Sequence, residues 1–236
     1  MKKTLLLLLV FLVSAGTYAQ QVNDPNAELR EAKNFHGIDV SNAFDVYISQ
    51  GSTEAVAVSA ESLKDREKIK VEVKNGILYV GLDRGWSWSL TRGSKKLKAY
   101  ISFKDIDILK VSGACEVEIN GVLKGNELSI DQSGASDLSG KIEVNKLSVD
   151  LSGASDIQLS GTATQLHIDA SGASSFKGFD LVTETCHAEA SGASDIKITV
   201  NKELSAEASG ASDVRYKGNG VIKELKNSGS SSISRS

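Results

Sequence analysis

Residues 152–156 read Ser-Gly-Ala-Ser-Asp, and the same five residues return at 133–137, 191–195 and 209–213. When the chain is aligned on the first serine, seven copies of the Ser-Gly pair appear, at Ser112, Ser133, Ser152, Ser171, Ser191, Ser209 and Ser228. The spacings are 21, 19, 19, 20, 18 and 19 residues. Self-similarity at a fixed period of this length is the sequence signature of a repeat architecture.

Between the motifs, apolar and polar residues alternate, as in Leu147-Ser148-Val149-Asp150-Leu151. Such short alternating runs, broken by glycine and serine, indicate half-buried strands rather than helices. Two columns of the alignment are wholly apolar, one three residues before the aligned serine and one five residues after it. We therefore predict an all-β solenoid of ~19-residue coils, each with two or three short strands, whose like side chains stack inside at ~4.8 Å. An antiparallel sandwich is the rival fold, but it does not require identical columns.

The small alanine after the glycine of the first six copies predicts a corner too tight for a larger side chain. Residues 35–105 lack the motif but keep strand-like runs, and Asn75-Gly76 between two of them reads as a hairpin turn. We expect this segment to be an N-terminal β cap or a set of degenerate coils, because a solenoid needs an atypical end. Residues 106–236 are the repeats, so 35–236 is one continuous domain, and the polar residues 20–34 are expected to be loose.

Residues 1–19 read as a secretory signal peptide, with Lys2 and Lys3 before an apolar run and small residues at Thr17 and Ala19. We expect an exported protein of the periplasm, the outer surface or the medium, with no transmembrane segment in the mature chain. The formal net charge is −3, and loss of the two lysines with the leader makes it −5. This acidic balance argues against nucleic acid as a partner.

Cys115 and Cys186 fall three to four coils apart in this scheme. That separation is ~14–19 Å, whereas a disulfide needs Cα atoms within ~7 Å. We predict no disulfide between them.

Two columns of carboxylates run along the repeats. The column after the motif contains Asp137, Asp156, Asp195 and Asp213, which are expected to accept backbone N–H bonds at the turn, with Ca²⁺ as the alternative. The column two residues before the aligned serine contains Asp131, Asp150, Asp169, Glu189 and Glu207, with Lys110 and Lys226 at its ends. It is expected to face solvent as an edge-protecting stripe, and Asp131 and Asp150 also represent a ligand-binding surface.

His167 and His187 share a column and should lie on adjacent coils, with Asp169 and Glu189 on the same face. They form a hypothetical Zn²⁺ site of two imidazoles and two carboxylates, the alternative being four solvated neighbours. Trp86 and Trp88 alternate near Arg84 and Arg92 in a glycine-bounded loop. They are a second ligand-binding hypothesis, as a sugar-stacking platform or partner contact, unless they pack on the end of the solenoid.

The Phe35–Gly51 segment, with Asn42-Ala43-Phe44-Asp45-Val46 and Gln50-Gly51, and the Ser-Gly-Ala-Ser-Asp series resemble an exported bacterial family described as putative auto-transporter adhesin, head GIN domain. The resemblance covers roughly residues 35–230, although no Gly-Ile-Asn tripeptide occurs. It implies a single-stranded, right-handed parallel β-helix at the cell envelope, with no established catalytic residues. The repeat continues to Ile233, so we expect no C-terminal translocator barrel.

The sequence thus favours a non-enzymatic, adhesin-like envelope protein that binds a cell-surface glycan or an envelope protein. No nucleophile motif, HExxH, CxxC or phosphate-binding glycine loop is present. No resident cofactor is expected beyond the Ca²⁺ and Zn²⁺ hypotheses. A polysaccharide-active enzyme remains an alternative, which a groove of clustered acids beside a basic residue would favour. A purely structural envelope protein is the second alternative.

Overall fold

The computed structural model describes residues 24–83 and 96–236, and most of them are in β-strands. The N-terminal elements are β1 (Glu28–Arg30), β2 (Gly37–Val40), β3 (Phe44–Gln50), β4 (Ala55–Ser59), the short helix α1 (Leu63–Arg66), β5 (Ile69–Lys74), β6 (Ile77–Leu82), β7 (Leu97–Phe103) and β8 (Ile108–Val111). The repeats supply β9 (Glu116–Gln132), β10 (Asp137–Leu151), β11 (Asp156–Ala170), β12 (Ser175–Ala190), β13 (Asp195–Ala208), β14 (Asp213–Lys217), β15 (Val221–Asn227) and β16 (Ser232–Arg235). The signal peptide prediction, residues 1–19, and the Trp86/Trp88 prediction lie outside the described residues.

The repeats stack as parallel strands in the predicted register. Leu138 pairs with Ile157 and Asp150 with Asp169, each pair 19 residues apart. Both apolar columns are inside: up to the last coil, their members are at most 2% exposed. The β-solenoid with ~19-residue coils is therefore confirmed, and the antiparallel sandwich is wrong for the repeats.

Each coil from β9 to β13 is one long strand that bends, rather than two or three separate strands. The bend falls where two successive residues are exposed, such as Asn145 and Lys146 in β10. We call the stretch after each motif face A and the stretch before the next motif face B. Register shifts occur between neighbouring coils of unequal length, and none of them falls within the motif corner.

At the corner the glycine, not the alanine, is the residue that tolerates no side chain. Gly153 has φ +75°, and a Cβ there would lie 2.5 Å from the carbonyl oxygen of Gly134 in the preceding coil. The same carbonyl accepts the N–H of Ala154 at 2.7 Å. Ala154 itself is exposed, so the expectation that the alanine occupies a tight corner is wrong. A positive φ with so close a backbone approach requires glycine.

The fourth residue of each motif points inward and hydrogen-bonds to a backbone carbonyl of the turn. Ser155 is fully buried, and its Oγ donates a hydrogen bond to the carbonyl of Ser152 at 2.7 Å. The same bond is made by Ser136, Ser174, Ser194, Ser212 and Ser231. From the second motif onward, the serine hydroxyl thus finds a hydrogen-bond partner in a backbone carbonyl of the turn, as a buried polar group requires.

A further copy of the corner precedes the seven seen in the sequence. Ser41-Asn42-Ala43 aligns with Ser112-Gly113-Ala114, because β2 pairs with β8 and β3 pairs with β9 in parallel. Asn42 has φ 84°, and its carbonyl accepts the N–H of Ala114 at 2.6 Å. Asparagine is among the few residues that tolerate this left-handed conformation, so it takes the place of the glycine.

The strands before the repeats add coils and then cover them. β6 and β7 pair in parallel with β2 and β3, whereas β5 pairs antiparallel with β6 and β4 antiparallel with β7. Asn75 and Gly76 both have positive φ in the β5–β6 hairpin, as predicted. Residues 28–30, expected to be loose, instead form β1 and pair antiparallel with β4, because the edge of β4 offers unpaired backbone groups.

The two cysteines are buried, free and in different columns. Cys115 takes the place of the inward serine of the first motif, with Sγ 3.4 Å from the carbonyl oxygen of Ser112. Cys186 stacks between Leu166 and Leu204 in the core. Burial raises the pKa of both thiols, so both stay protonated and weakly nucleophilic in the folded chain.

We expect Gly172→Ala to destabilise the fold by at least about 1–2 kcal/mol, the cost of a left-handed L-residue, plus a clash. A Cβ at Gly172 would lie 2.5 Å from the carbonyl oxygen of Gly153. Urea unfolding of the chain from residue 20 onward measures the difference. The exposed Ala173→Ser, one residue on, is the control and should stay within about 0.5 kcal/mol of the parent. Equal effects of the two substitutions would contradict the stacked-glycine corner.

Candidate ligand-binding face

Face B carries the predicted column of carboxylates in register. Asp131, Asp150, Asp169, Glu189 and Glu207 lie on five successive strands, β9 to β13, and are called the acidic stripe below. Asp39 and Lys110 precede the stripe, and Lys226 follows it. Successive members are one strand spacing apart, about 4.8 Å at the backbone.

Among the described residues, the ion pairs of the stripe are found at its C-terminal end. Lys226 Nζ lies 3.0 Å from Glu207 Oε1, and His187 Nε2 lies 2.8 Å from Glu189 Oε1. Asp131, Asp150 and Asp169 form no ion pair with any described residue, in 24–83 or 96–236. Neighbouring like charges on a strand face repel, so these three aspartates form a negative surface without ion pairs, bordered by Lys110 next to Asp131.

The carboxylate that begins this column responds to its neighbours. Burial raises the pKa of Asp39, Lys110 lowers it, and the negative charge of Asp131 raises it. Lys110 lies between the two aspartates in the register. Charges on neighbouring coils are therefore coupled along the stack.

The two histidines lie on adjacent coils, as their shared column predicted. The rings of His167 and His187 stack with centroids 5.2 Å apart and planes 3° from parallel. Nitrogen lone pairs lie in the ring plane, so two parallel rings do not direct them at one point. The described residues contain no group of three or more potential ligands placed to hold a metal. The Zn²⁺ site of His167, His187, Asp169 and Glu189 therefore stays a prediction, and it requires the rings to rotate out of their stack.

An open depression of about 300 Å³ surrounds the histidine pair on face B. Polar side chains form much of its lining, among them Lys146, Gln165, His167, Thr185, His187 and Ser205. The acidic stripe runs beside it, two residues along each strand. Face B therefore combines hydrogen-bond donors and acceptors with a run of carboxylates.

On face A, basic side chains compensate the aspartates of the later coils. Lys177 lies 2.8 Å from Asp156, Lys197 lies 3.1 Å from Asp195, and Arg215 lies 3.1 Å from Asp213. These cations lie two residues beyond the aspartate column. The carboxylates pair with them rather than with the backbone N–H groups expected from the sequence. Because these cations offset the repulsion between the aspartates, that repulsion no longer supports the Ca²⁺ hypothesis.

A second depression, of about 500 Å³, lies near the bend side of the first coils and was missed by the sequence reasoning. Its lining includes His36, Asp105, Asp107, Lys124 and Glu127. His36 Nδ1 lies 2.7 Å from Asp107 Oδ1. These residues come from separate segments that meet only because β2 pairs with β8, so no motif or column could have indicated them.

A tyrosine pair was also missed on face A of the first coils. The rings of Tyr47 and Tyr100 stack at 5.3 Å and 14°, and Tyr100 donates a hydrogen bond from its hydroxyl to Asp24 at 3.0 Å. Burial and the charge of Asp24 raise the pKa of Tyr100. The pair follows from the register of β3 on β7, which depends on the cap rather than on the repeat.

In the part of the chain that the structure describes, no helix has the length and apolarity needed to span a bilayer. The family model described as putative auto-transporter adhesin, head GIN domain, matches residues 34–220. A search of curated protein sequences finds no match.

Solved structures with the same fold include proteins from Bacteroides and Parabacteroides species. A putative adhesin from Bacteroides fragilis is 22% identical with a TM-score of 0.82, covering 89% of this chain and 96% of that one. A putative adhesin from Parabacteroides merdae is 17% identical with a TM-score of 0.68, covering 89% and 95%. A putative lipid binding protein from Parabacteroides distasonis is 21% identical with a TM-score of 0.64, covering 89% and 97%.

We expect Asp150→Asn to stabilise the fold by about 0.2–1 kcal/mol, the size of a cross-strand charge effect. Asp150 lies between Asp131 and Asp169, so its neutralisation removes two repulsive pairs. Urea unfolding at low ionic strength measures the gain, which should shrink in 1 M salt because the Debye length there is only about 3 Å. The control is Asp156→Asn, which removes the partner of Lys177 and should not stabilise. A destabilising Asp150→Asn would contradict an uncompensated stripe.

The Zn²⁺ prediction is tested by calorimetric titration of the parent and of His167→Ala. We expect the parent to bind and the variant to lose binding, because two imidazoles on adjacent coils supply the nitrogen ligands. His36→Ala is the control, since it removes an imidazole outside the pair. If the parent binds no Zn²⁺, or if His167→Ala binds it equally well, the two histidines form a ring stack and not a metal site.

Proposed function

Because the chain belongs to the family of putative auto-transporter adhesin, head GIN domains, we propose that it is an exported, adhesin-like binding protein of the bacterial cell envelope. Its binding surface in this proposal is face B. The supporting observation is the run of Asp131, Asp150 and Asp169, which form no ion pair with described residues, beside the depression at His167 and His187.

Uncompensated charges on a surface cost stability, which is an argument that they serve recognition. Carboxylates accept hydrogen bonds from sugar hydroxyls and attract ammonium and guanidinium groups. A cell-surface glycan or an envelope protein with a basic segment would both suit this surface. The repeated arrangement offers the same contacts on successive coils, so an extended partner could bind at several coils at once.

A binding role also agrees with the way acids are distributed. A catalytic site needs one unique arrangement of groups, whereas the stripe presents equivalent carboxylates on five successive coils. The relative described as a lipid binding protein is 21% identical, so it shares the fold and gives no reason to prefer a lipid here.

The alternative of a polysaccharide-active enzyme has one observation in its favour. The depression at His36 brings Asp105, Asp107 and Glu127 together with Lys124, the acids-plus-base groove that this activity would use. Release of reducing ends from envelope polysaccharides, abolished by Asp107→Asn, would support it. The purely structural alternative predicts neither binding nor turnover.

We expect Asp131→Asn/Asp150→Asn/Asp169→Asn to weaken partner binding at least about tenfold, a loss of about 1.4 kcal/mol. The measurements are a glycan array and an envelope pull-down with the chain from residue 20 onward. The matched control, Glu116→Gln/Glu118→Gln/Asp137→Asn, removes three negative charges from face A and should leave binding unchanged. Trp86→Ala/Trp88→Ala tests the tryptophan loop separately. Binding lost only in that variant, or only in the face A control, would overturn the assignment to face B.

A further inference from the structure

The last coil leaves the end of the hydrophobic core exposed. Ile222 and Leu225 stack on Leu204 and Ala206, which are 1% and 0% exposed, yet Ile222 is 45% and Leu225 is 38% exposed. Val221, on the same strand, is 64% exposed. Three of the large exposed hydrophobic residues therefore lie together on β15.

The backbone of this coil is open on the same side. Among the described residues, β15 pairs only with β13, and β16 only with β14. The opposite end of the stack differs, because the antiparallel strands β1, β4 and β5 cover it. An open edge with apolar side chains is a template for further strand pairing.

The order of side chains on β15 makes it complementary to itself. Leu225 belongs to the inward column, and Glu224 and Lys226 flank it in outward columns. If a second β15 pairs antiparallel with its two-fold axis at Leu225, Leu225 meets its own copy. Glu224 then lies opposite Lys226 of the other copy, and this ion pair occurs twice. Parallel pairing in register would instead oppose glutamate to glutamate.

We propose that the last coil is the interface of a homodimer, formed by antiparallel pairing of β15 with β15 of a second copy. A two-fold interface is closed and leaves β15 with no open edge. It extends face B from one copy into the next and covers Ile222 and Leu225. Within one copy, Lys226 already lies 2.6 Å from Glu224 and 3.0 Å from Glu207. In the dimer, Glu224 of the second copy lies opposite the same lysine.

The test is sedimentation equilibrium of the chain from residue 20 onward over a wide range of concentration. We expect a monomer–dimer equilibrium whose Kd rises at least about tenfold in Glu224→Lys, where two cross-copy ion pairs become like-charge contacts. Leu225→Ser should also raise the Kd, because it removes the apolar contact at the axis. Far-UV circular dichroism and urea unfolding check that each variant keeps the parent fold.

Two further variants separate the interface from general charge effects. Glu207→Lys/Glu224→Lys/Lys226→Glu reverses every ion pair in this network and should restore dimerisation. Glu143→Lys makes the same charge change on β10, away from the last coil, and should leave the Kd unchanged. A monomer at all concentrations would overturn the proposal, as would a dimer insensitive to both Glu224→Lys and Leu225→Ser. Capture of a different protein at the last coil of a monomeric chain would also overturn it.

Discussion

The contact on which the rest of the structure depends is the approach of one glycine backbone to the next at the motif corner. The carbonyl of Gly134 accepts the N–H of Ala154 at 2.7 Å, and Gly153 lies above Gly134 with no room for a Cβ. This contact fixes the turn of each coil directly over the previous one. The strands that leave the corner are then in register, so core residues stack on core residues and charges on charges.

Much of the fold could be predicted because a solenoid repeats its environment. The inward columns and the stacking of coils follow from period and alternation alone, and the hairpin follows from the turn residues Asn75-Gly76. The role of the alanine could not be read in this way, because smallness alone does not distinguish an exposed corner residue from a crowded one. The coil that begins at Ser41 could not be recognised in the sequence because asparagine replaces glycine there. Asparagine and glycine share only their left-handed backbone conformation at this position.

Only those parts of the binding surface that lie in the repeat columns could be predicted from the sequence. The register placed His167 beside His187 and aligned the acidic stripe, but it could not say which carboxylates lack a counter-charge. Asp156 is paired with Lys177 from the next coil, a contact that joins two columns. The depression at His36 depends on the pairing of β2 with β8 across about 70 residues of intervening chain, as the spacing of His36 and Asp107 shows. Such contacts between non-repeating segments leave no periodic signal.

Coils differ in length between their motif corners and not within them. Spacings from 18 to 21 residues are accommodated by local register shifts, whereas neighbouring coils of equal length show none. The shifts fall at Ser139–Lys141, Gln158–Ser160, Gly178–Thr185 and Leu204–Ser205. In-frame insertions and deletions should therefore survive at these positions, whereas the motif corner admits almost no change in length. The molecule could acquire new loops during evolution, or carry grafted peptides in the laboratory, between its corners without disturbing its architecture.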